Sequence, residues 1–488
     1  MKSSIFTLSL LFAFTTAHAQ SVAKARVNLG PNINTPDSTE SHPVLSPNGK
    51  YLYFFRGDLW TKSIFRSEWN GKDGWGKAVE ISELDKRGKG EVEFAYPDGN
   101  RLVLRGNYGG IAGLFVTDFN GTSWSEPRPI PFEHTLGVFD LDYLDATFSV
   151  NGKVMILSNG TKLYLSVLRS SEVWSDPVAI SKLNAGTSSY TPFLASDNRT
   201  LYFSADGYGT LGGNDIVRTT RLDDSWLDWS TPEDLDSTIN SPAWESYFYM
   251  SAAGDDAYVA SQADGNGDLY RVTIDPKERP NPVALITGTV INAKTKEPLA
   301  AEITYDDIEA NQNAGEAKTN ARDGKYSVVL QYGKKYSIAA RAEHFYALSD
   351  FLDLTTVSTY QEINQDILMM PMEVGATIGL KNLFFETGKA ELQATSFTEL
   401  DRLCGYLRSY PSLRIQIGGH TDNVGSSGHN YTLSLARVNA VIAYLTSKGI
   451  PSNQLTGKGY GQTKPLTTNG TEAGRAKNRR VEFTILAL

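Results

Sequence analysis

The chain has 488 residues, with 46 Lys and Arg against 55 Asp and Glu and a net charge of −9. At roughly 150 residues per domain this suggests about three domains, and a mean hydropathy of −0.30 excludes both a wholly disordered chain and a helical membrane protein. The acidity argues against a general nucleic-acid binder, and the single cysteine excludes an intrachain disulfide and a Cys-cluster zinc site.

Residues 1–19 read as a secretory signal peptide: Lys2, an apolar run over 5–14, then Ala17-His18-Ala19 as a small-x-small cleavage site. The run is too short to span a membrane. Cleavage is expected before Gln20, and no cysteine follows that would carry a lipid anchor. The mature protein is expected to be exported and soluble.

Residues 20–278 repeat themselves. Five turns, at 46–50, 96–100, 149–153, 195–199 and 252–256, each precede a short alternating strand. Their Asn-Gly and Asp-Gly pairs suit two-residue hairpins. Trp75, Trp124, Trp174 and Trp229 trail the first four turns at intervals of 49, 50 and 55 residues, the last three in W-S-x-P. A period near 50 with short strands predicts a β-propeller of about five blades. The fifth repeat lacks its Trp strand, and Arg26-Val27-Asn28-Leu29 matches the segments that follow Trp75 and Trp174. The N-terminus is therefore predicted to supply the outer strand of the last blade. On these features the region resembles the WD-like (TolB-type) propeller repeats of secreted bacterial proteins, a fold that serves many roles.

Two groups here invite a functional reading. Asp264, Asn266 and Asp268 mimic a calcium loop, but Leu269 replaces the required Gly and Asp275 the bidentate Glu, so a hairpin turn is the better reading. Trp60, Trp75, Trp244, Tyr247 and Tyr249 could line a sugar-binding face or pack between blades.

Residues 283–372 show short strands between turn signals, as in an immunoglobulin-like β-sandwich. Gly288-x-Val290, Pro298-Leu299, Asp323-Gly324-x-Tyr326 and Gly333-x-x-Tyr336 resemble the carboxypeptidase regulatory-like domain, which implies a spacer or binding surface.

Residues 375–488 carry 13 basic and 7 acidic residues, a net +6, against 33 and 48 in the rest, a net −15. Strands are predicted at 378–386, 413–418, 455–460 and 480–486, and helices at 394–409 and 430–448. The order is that of an α/β sandwich, with Cys404 on the apolar face of the first helix. Gly419-His420-Thr421-Asp422, Asn430-x-x-Leu433-Ser434-x-x-Arg437, Gly459-Tyr460-Gly461 and Gly474-Arg475-Ala476-x-Asn478-Arg479-Arg480 closely resemble the OmpA-like C-terminal domain. That resemblance implies non-covalent peptidoglycan binding, with Asp422 and Arg437 gripping the diaminopimelate of a stem peptide. Thr421 and Asn430 accompany them. Thr387 and Gly388 stand where the family has the second aromatic and second Asp of F-D-F-D, so side-chain contacts there are in doubt. The chemistry agrees: a guanidinium can hold the ligand carboxylate and a carboxylate its ammonium. The competing reading is a plain Asp422–Arg437 salt bridge within the domain.

No H-E-x-x-H, G-x-S-x-G or P-loop is present, so no enzyme activity, metal or cofactor is expected. The sequence therefore suggests a periplasmic protein of a Gram-negative bacterium, associated with the cell wall and outer membrane. It would bind peptidoglycan and present the propeller and sandwich to an outer-membrane or periplasmic partner. The alternative is an envelope sensor or glycan-binding protein whose propeller takes a ligand, with the C-terminal domain as tether.

Overall fold

The computed structural model describes residues 26–488 apart from 59–61, 72–73, 86–87, 98, 135–143, 171, 187, 210–212, 263–266, 311, 348–349, 381–382 and 387. The signal peptide, Trp60, Asp264, Asn266 and Thr387 lie outside the described residues.

The region of repeats forms five antiparallel sheets in chain order. The first holds Glu40–Leu45, Tyr51–Arg56, Ser63–Glu68 and Val79–Glu80. The second holds Gly88–Ala95, Arg101–Tyr108, Ile111–Asp118 and Arg128–Pro129. The third is Asp145–Phe148, Val154–Ser158 and Leu163–Ser170, with Val173–Trp174 and Val178–Ala179 both paired to its third strand. The fourth is Ser189–Leu194, Thr200–Ala205, Asp215–Thr220 and Glu233–Asp234. The fifth is Glu245–Met250, Asp256–Ser261 and Asp268–Thr273, and its fourth strand is Val27–Asn28 from the other end of the region. The first strands of the five sheets touch in cyclic order, the fifth returning to the first.

The sequence signals have local physical causes. Ser46 N donates to Tyr51 O, and Gly49 N to Ser46 O, both at 2.8 Å. The connection is therefore longer than the two-residue hairpin expected. Asn48 Oδ1 accepts from Lys50 N at 3.0 Å and shapes an Asx turn with Gly49 at its centre, at φ +67°. In W-S-x-P, the tryptophan is buried and the serine stitches a very short outer strand to the third. Val167 N donates to Ser175 Oγ at 3.1 Å, and Ser166 Oγ to Ser175 O at 2.7 Å. Thr220 N and Thr219 Oγ1 do the same at Ser230.

A further device joins the sheets. Asn34, Asn184 and Asn240, in the linkers leading to the next sheet, each exchange two amide hydrogen bonds with one third-strand residue: Leu269, Leu163 and Ile216. Between the first and second sheets the same place is taken by Asp85, whose carboxylate accepts from Ile64 N at 3.2 Å. Burial, and then the charge of Glu80, push this carboxyl up to about 6.

Two further sheets follow. Val283–Asn292 pairs with Lys325–Gln331, Gln361–Asn364 and Ile367–Pro371, and Phe345–Ala347 adds to the last of these. Glu302–Asp307 pairs with Gln312–Lys318 and Lys335–Arg341, with Asp350–Asp353 outside. They share one core, including Ile286, Ile303, Val328, Ile338 and Met369. The repeat turns seat this sandwich: Gln331 Nε2 donates to Asp197 O at 2.9 Å, Asn100 Nδ2 to Lys318 O at 3.0 Å, and Ser327 Oγ to Pro97 O. On its other side Arg402 bonds Ser337 Oγ at 2.7 Å and pairs with Asp306. Tyr346 enters the C-terminal core beside Phe483.

The C-terminal sheet runs Thr377–Leu380, Val481–Ala487, Arg414–His420, Leu455–Gly461. The last two strands are parallel and the other pairs antiparallel. The helices are Phe397–Ser409 and Ser427–Ser447. Cys404 is buried among apolar side chains. The first strand stops well before the predicted 386, and Phe385 makes only an isolated bridge to Leu392. The second long helix starts earlier than predicted because Ser426 caps it, accepting from His429 N at 3.2 Å. A third helix, Glu472–Asn478, was not anticipated: it is short and polar, so no apolar periodicity announces it. Among the described residues no helix is long and apolar enough to cross a membrane.

Candidate functional site

The site lies at the end of Arg414–His420, whose Ile415 and Ile417 anchor it in the core. The helix Ser427–Ser447 presses closely on this strand at Gly419. A Cβ there would meet Ser434 O at 2.5 Å, which explains the glycine directly before His420. The strand then delivers Thr421 and Asp422, both buried, to the start of an exposed loop.

Backbone and side chains fix that loop tightly. Thr421 N donates to Gly461 O at 3.0 Å, and its hydroxyl to Asp422 O at 2.8 Å. Asn430 Nδ2 reaches Asp422 O at 3.2 Å and Gln462 Oε1 at 2.7 Å. Thr421 and Asn430, both candidates from sequence, thus hold the loop's shape. His420 is buried, stacked on Tyr460 with Nε2 3.0 Å from Glu482.

Asp422 and Arg437 do not form the direct salt bridge considered from sequence. Asp422 Oδ1 accepts from Val424 N at 3.0 Å, and Oδ2 from Arg479 Nη1 at 2.8 Å. Arg479 Nη2 also donates to Glu472 Oε1 at 2.8 Å, and Glu472 holds Arg475 as well. Partial burial would raise the Asp422 carboxyl, but the Arg479 hydrogen bond, Val424 N and the nearby arginine charges hold it below the usual range.

Arg437, nearly three turns into the helix, lies over Phe385 with its guanidinium carbon 4.9 Å from the ring centroid. Its Nε donates to Lys389 O at 3.0 Å. Gly388, at φ +70° in the turn closed by Lys389 N on Glu386 O, brings that carbonyl into place. Among the described residues no carboxylate lies within ion-pair distance of Arg437. Burial, then repulsion from Arg479, depress its proton affinity, partly countered by the Asp422 charge. The guanidinium is therefore a half-buried cation with its two Nη groups turned to no carboxylate.

Arg479 and Arg480, adjacent in the last motif, have different partners. Arg479 belongs to the site, whereas Arg480 binds Glu482 at 2.8 Å and the Lys464 carbonyl. Glu472, Arg475 and Arg479 at three- and four-residue spacing were the available signal for this network.

Of the aromatic candidates in the five sheets, the four described each pack against another ring. Trp75 packs edge-on against Trp69 and Tyr258, and Tyr249 is buried against Phe193. Trp244 lies beside Tyr190, and Tyr247 lies against His42. Asp268, from the calcium-like run, accepts from Asn28 at 2.8 Å. Among the described residues, the group with metal-ligand spacing is elsewhere: His42, Glu91 and Glu93.

Residues 384–479 match the OmpA family model; the C-terminal part of the chain is an OmpA family domain. Outer membrane porin F of Pseudomonas fluorescens is 35% identical over 103 residues, covering 21% of this chain and 32% of that protein. Peptidoglycan-binding protein ArfA of Mycobacterium tuberculosis is 38% identical over 101 residues, 21% of this chain and 31% of that one. The chain thus spans about a third of the length of these relatives. The peptidoglycan-associated lipoprotein structure from Burkholderia pseudomallei is 28% identical, covering 22% of this chain and 88% of that one, with a TM-score of 0.21.

Proposed function

We propose that this is a cell-envelope protein that binds peptidoglycan non-covalently through its C-terminal domain. The observation that carries the reading is Arg437: a half-buried guanidinium, oriented by Phe385 and Lys389 O, with no carboxylate of its own. Diaminopimelate ends in a carboxylate and an ammonium on one carbon. Arg437 takes the carboxylate and Asp422 the ammonium, while Glu472 keeps Arg479 compensated when Asp422 turns to the ligand. The family match and the names of relatives such as ArfA support this assignment.

The rest of the chain is read as a scaffold. Five sheets whose first strands touch cyclically, with the N-terminal strand in the fifth, support a five-bladed WD-like propeller. The two sheets after it support a carboxypeptidase regulatory-like sandwich. Together they present a surface to an outer-membrane or periplasmic protein. The protein works by binding rather than catalysis, in the periplasm, at the wall and outer membrane.

Co-sedimentation of the full mature protein with purified diaminopimelate-type sacculi tests the reading. The wild type should pellet and Arg437→Ala should remain largely in solution with an unchanged circular dichroism spectrum. Equal pelleting of the two would overturn the site.

A further inference from the structure

The repeat turns and the sandwich touch over only part of their facing surfaces, and the space between them is a groove. One cleft, of about 390 Å³, lies between the first two sheets and the sandwich, with Tyr51, Trp124 and Tyr326 in its lining. A second, of about 480 Å³, lies between the second sheet, the sandwich and Tyr410, at the end of the helix Phe397–Ser409. Asn100 and Phe119 line both, so the two adjoin as one elongated groove. Each volume is that of a ligand site, and a junction between domains is a common place for one.

The lining has a consistent chemistry. Each cleft holds a half-buried ring, Tyr51 in one and Tyr410 in the other, and half-buried Phe119 stands at the join. Trp124 supports Phe119 from behind, their ring centroids 5.1 Å apart. Asn48, Thr287, Thr289 and Asn364 add amides and hydroxyls. Among the described residues the Asn364 side chain and Asn48 Nδ2 have no hydrogen-bond partner. Ala300, Ala301, Ala321 and Ala342 give the second cleft a wall of methyl groups. Its charges, by contrast, are compensated. Asp118 is held by Arg101 and Arg128, both at 2.7 Å, Lys50 by Glu68 at 3.1 Å and Lys325 by Asp323 at 3.2 Å. Lys318 and Arg341 are exposed beside the equally exposed Glu302 and Glu343. The groove therefore suits a neutral ligand better than an ion.

A sugar matches such a lining. Its C–H faces pack on rings, and its hydroxyls pair with amides that both donate and accept. A chain of β-1,4-linked sugars is flat and extended, so it fills an elongated groove as a compact ligand does not. Acetamido methyls would pack on the alanine wall. We infer that this groove binds an extended glycan of β-1,4-linked, N-acetylated sugars. The sugar backbone of the cell wall has this chemistry. That link rests on the reading of Arg437, whereas the groove itself does not.

Isothermal titration of the full mature chain with chitotetraose, a soluble tetramer of such sugars, tests the inference. One equivalent should bind. Ala300→Trp fills the second cleft from an exposed position, and Phe119→Ala removes the central ring. Each should weaken binding about tenfold with an unchanged circular dichroism spectrum. Both variants should keep wild-type affinity for a sugar-free stem peptide ending in diaminopimelate. Arg437→Ala should do the reverse, losing the peptide and keeping chitotetraose, so the groove and the stem-peptide site fail separately. No binding of chitotetraose, unchanged affinity in Ala300→Trp, or displacement of the sugar by the free stem peptide would overturn the inference.

Discussion

Asp422 accepts a hydrogen bond from Arg479 at 2.8 Å, not from Arg437. The two arginines near this carboxylate therefore have different tasks. Arg479 compensates Asp422 in the free protein and is itself shared with Glu472. Arg437 instead bonds the Lys389 carbonyl through Nε, and in the proposed function it is the one that takes the ligand anion. Asp422→Asn removes the acceptor for a ligand ammonium but keeps the side chain's shape. Affinity for diaminopimelate-containing wall fragments should fall by about 1.5–3 kcal/mol, the range for a hydrogen bond to a charged group. Titration calorimetry against soluble muropeptides checks this, and unchanged affinity would remove Asp422 from the site.

Asp85 occupies a place where three other linkers carry Asn. It accepts from Ile64 N but, ionised, cannot return a hydrogen bond to the backbone carbonyl as Asn34 does to Leu269. Its carboxyl is raised to about 6 in the folded state, above the ordinary value near 3.9. The folded state thus holds the proton more tightly, so stability falls as pH rises from about 4 to about 6. Asp85→Asn should raise Tm at pH 7 and flatten the Tm–pH curve over that window. Scanning calorimetry from pH 4 to 7 reads both effects.

Ser175 illustrates the W-S signature. Its hydroxyl is the acceptor for Val167 N beside a two-residue outer strand. Ser175→Ala leaves that partly buried N–H without its side-chain partner and should cost about 1 kcal/mol. Denaturant melts should show a lower midpoint, whereas wall binding should be untouched.

How far the sequence carried the fold depended on whether a signal was local. The period of the tryptophans and the match of residues 26–29 to the post-Trp segments led to the pairing of Val27–Asn28 with Tyr270 and Arg271. The Asn34, Asn184 and Asn240 device was present as a repeated Ile/Leu-Asn pair but has no turn or periodicity to flag it. At the proposed wall-binding site the motifs point to Asp422 and Arg437. The Arg479 contact depends on a short polar helix that hydrophobic patterning cannot see. His42 and the two glutamates come from different sheets, and only the packing of first strands brings them together.

The central claim is that Arg437 reads the ligand's terminal carboxylate. It is tested most directly by measuring the affinity of wild type and Arg437→Ala for two stem peptides, one ending in diaminopimelate and one in lysine, which lacks that carboxylate. The wild type should prefer diaminopimelate by about 2–5 kcal/mol, as for a desolvated charged pair. In Arg437→Ala that preference should vanish, with both peptides binding weakly and alike. A variant that still discriminates between them by the same margin would contradict the account.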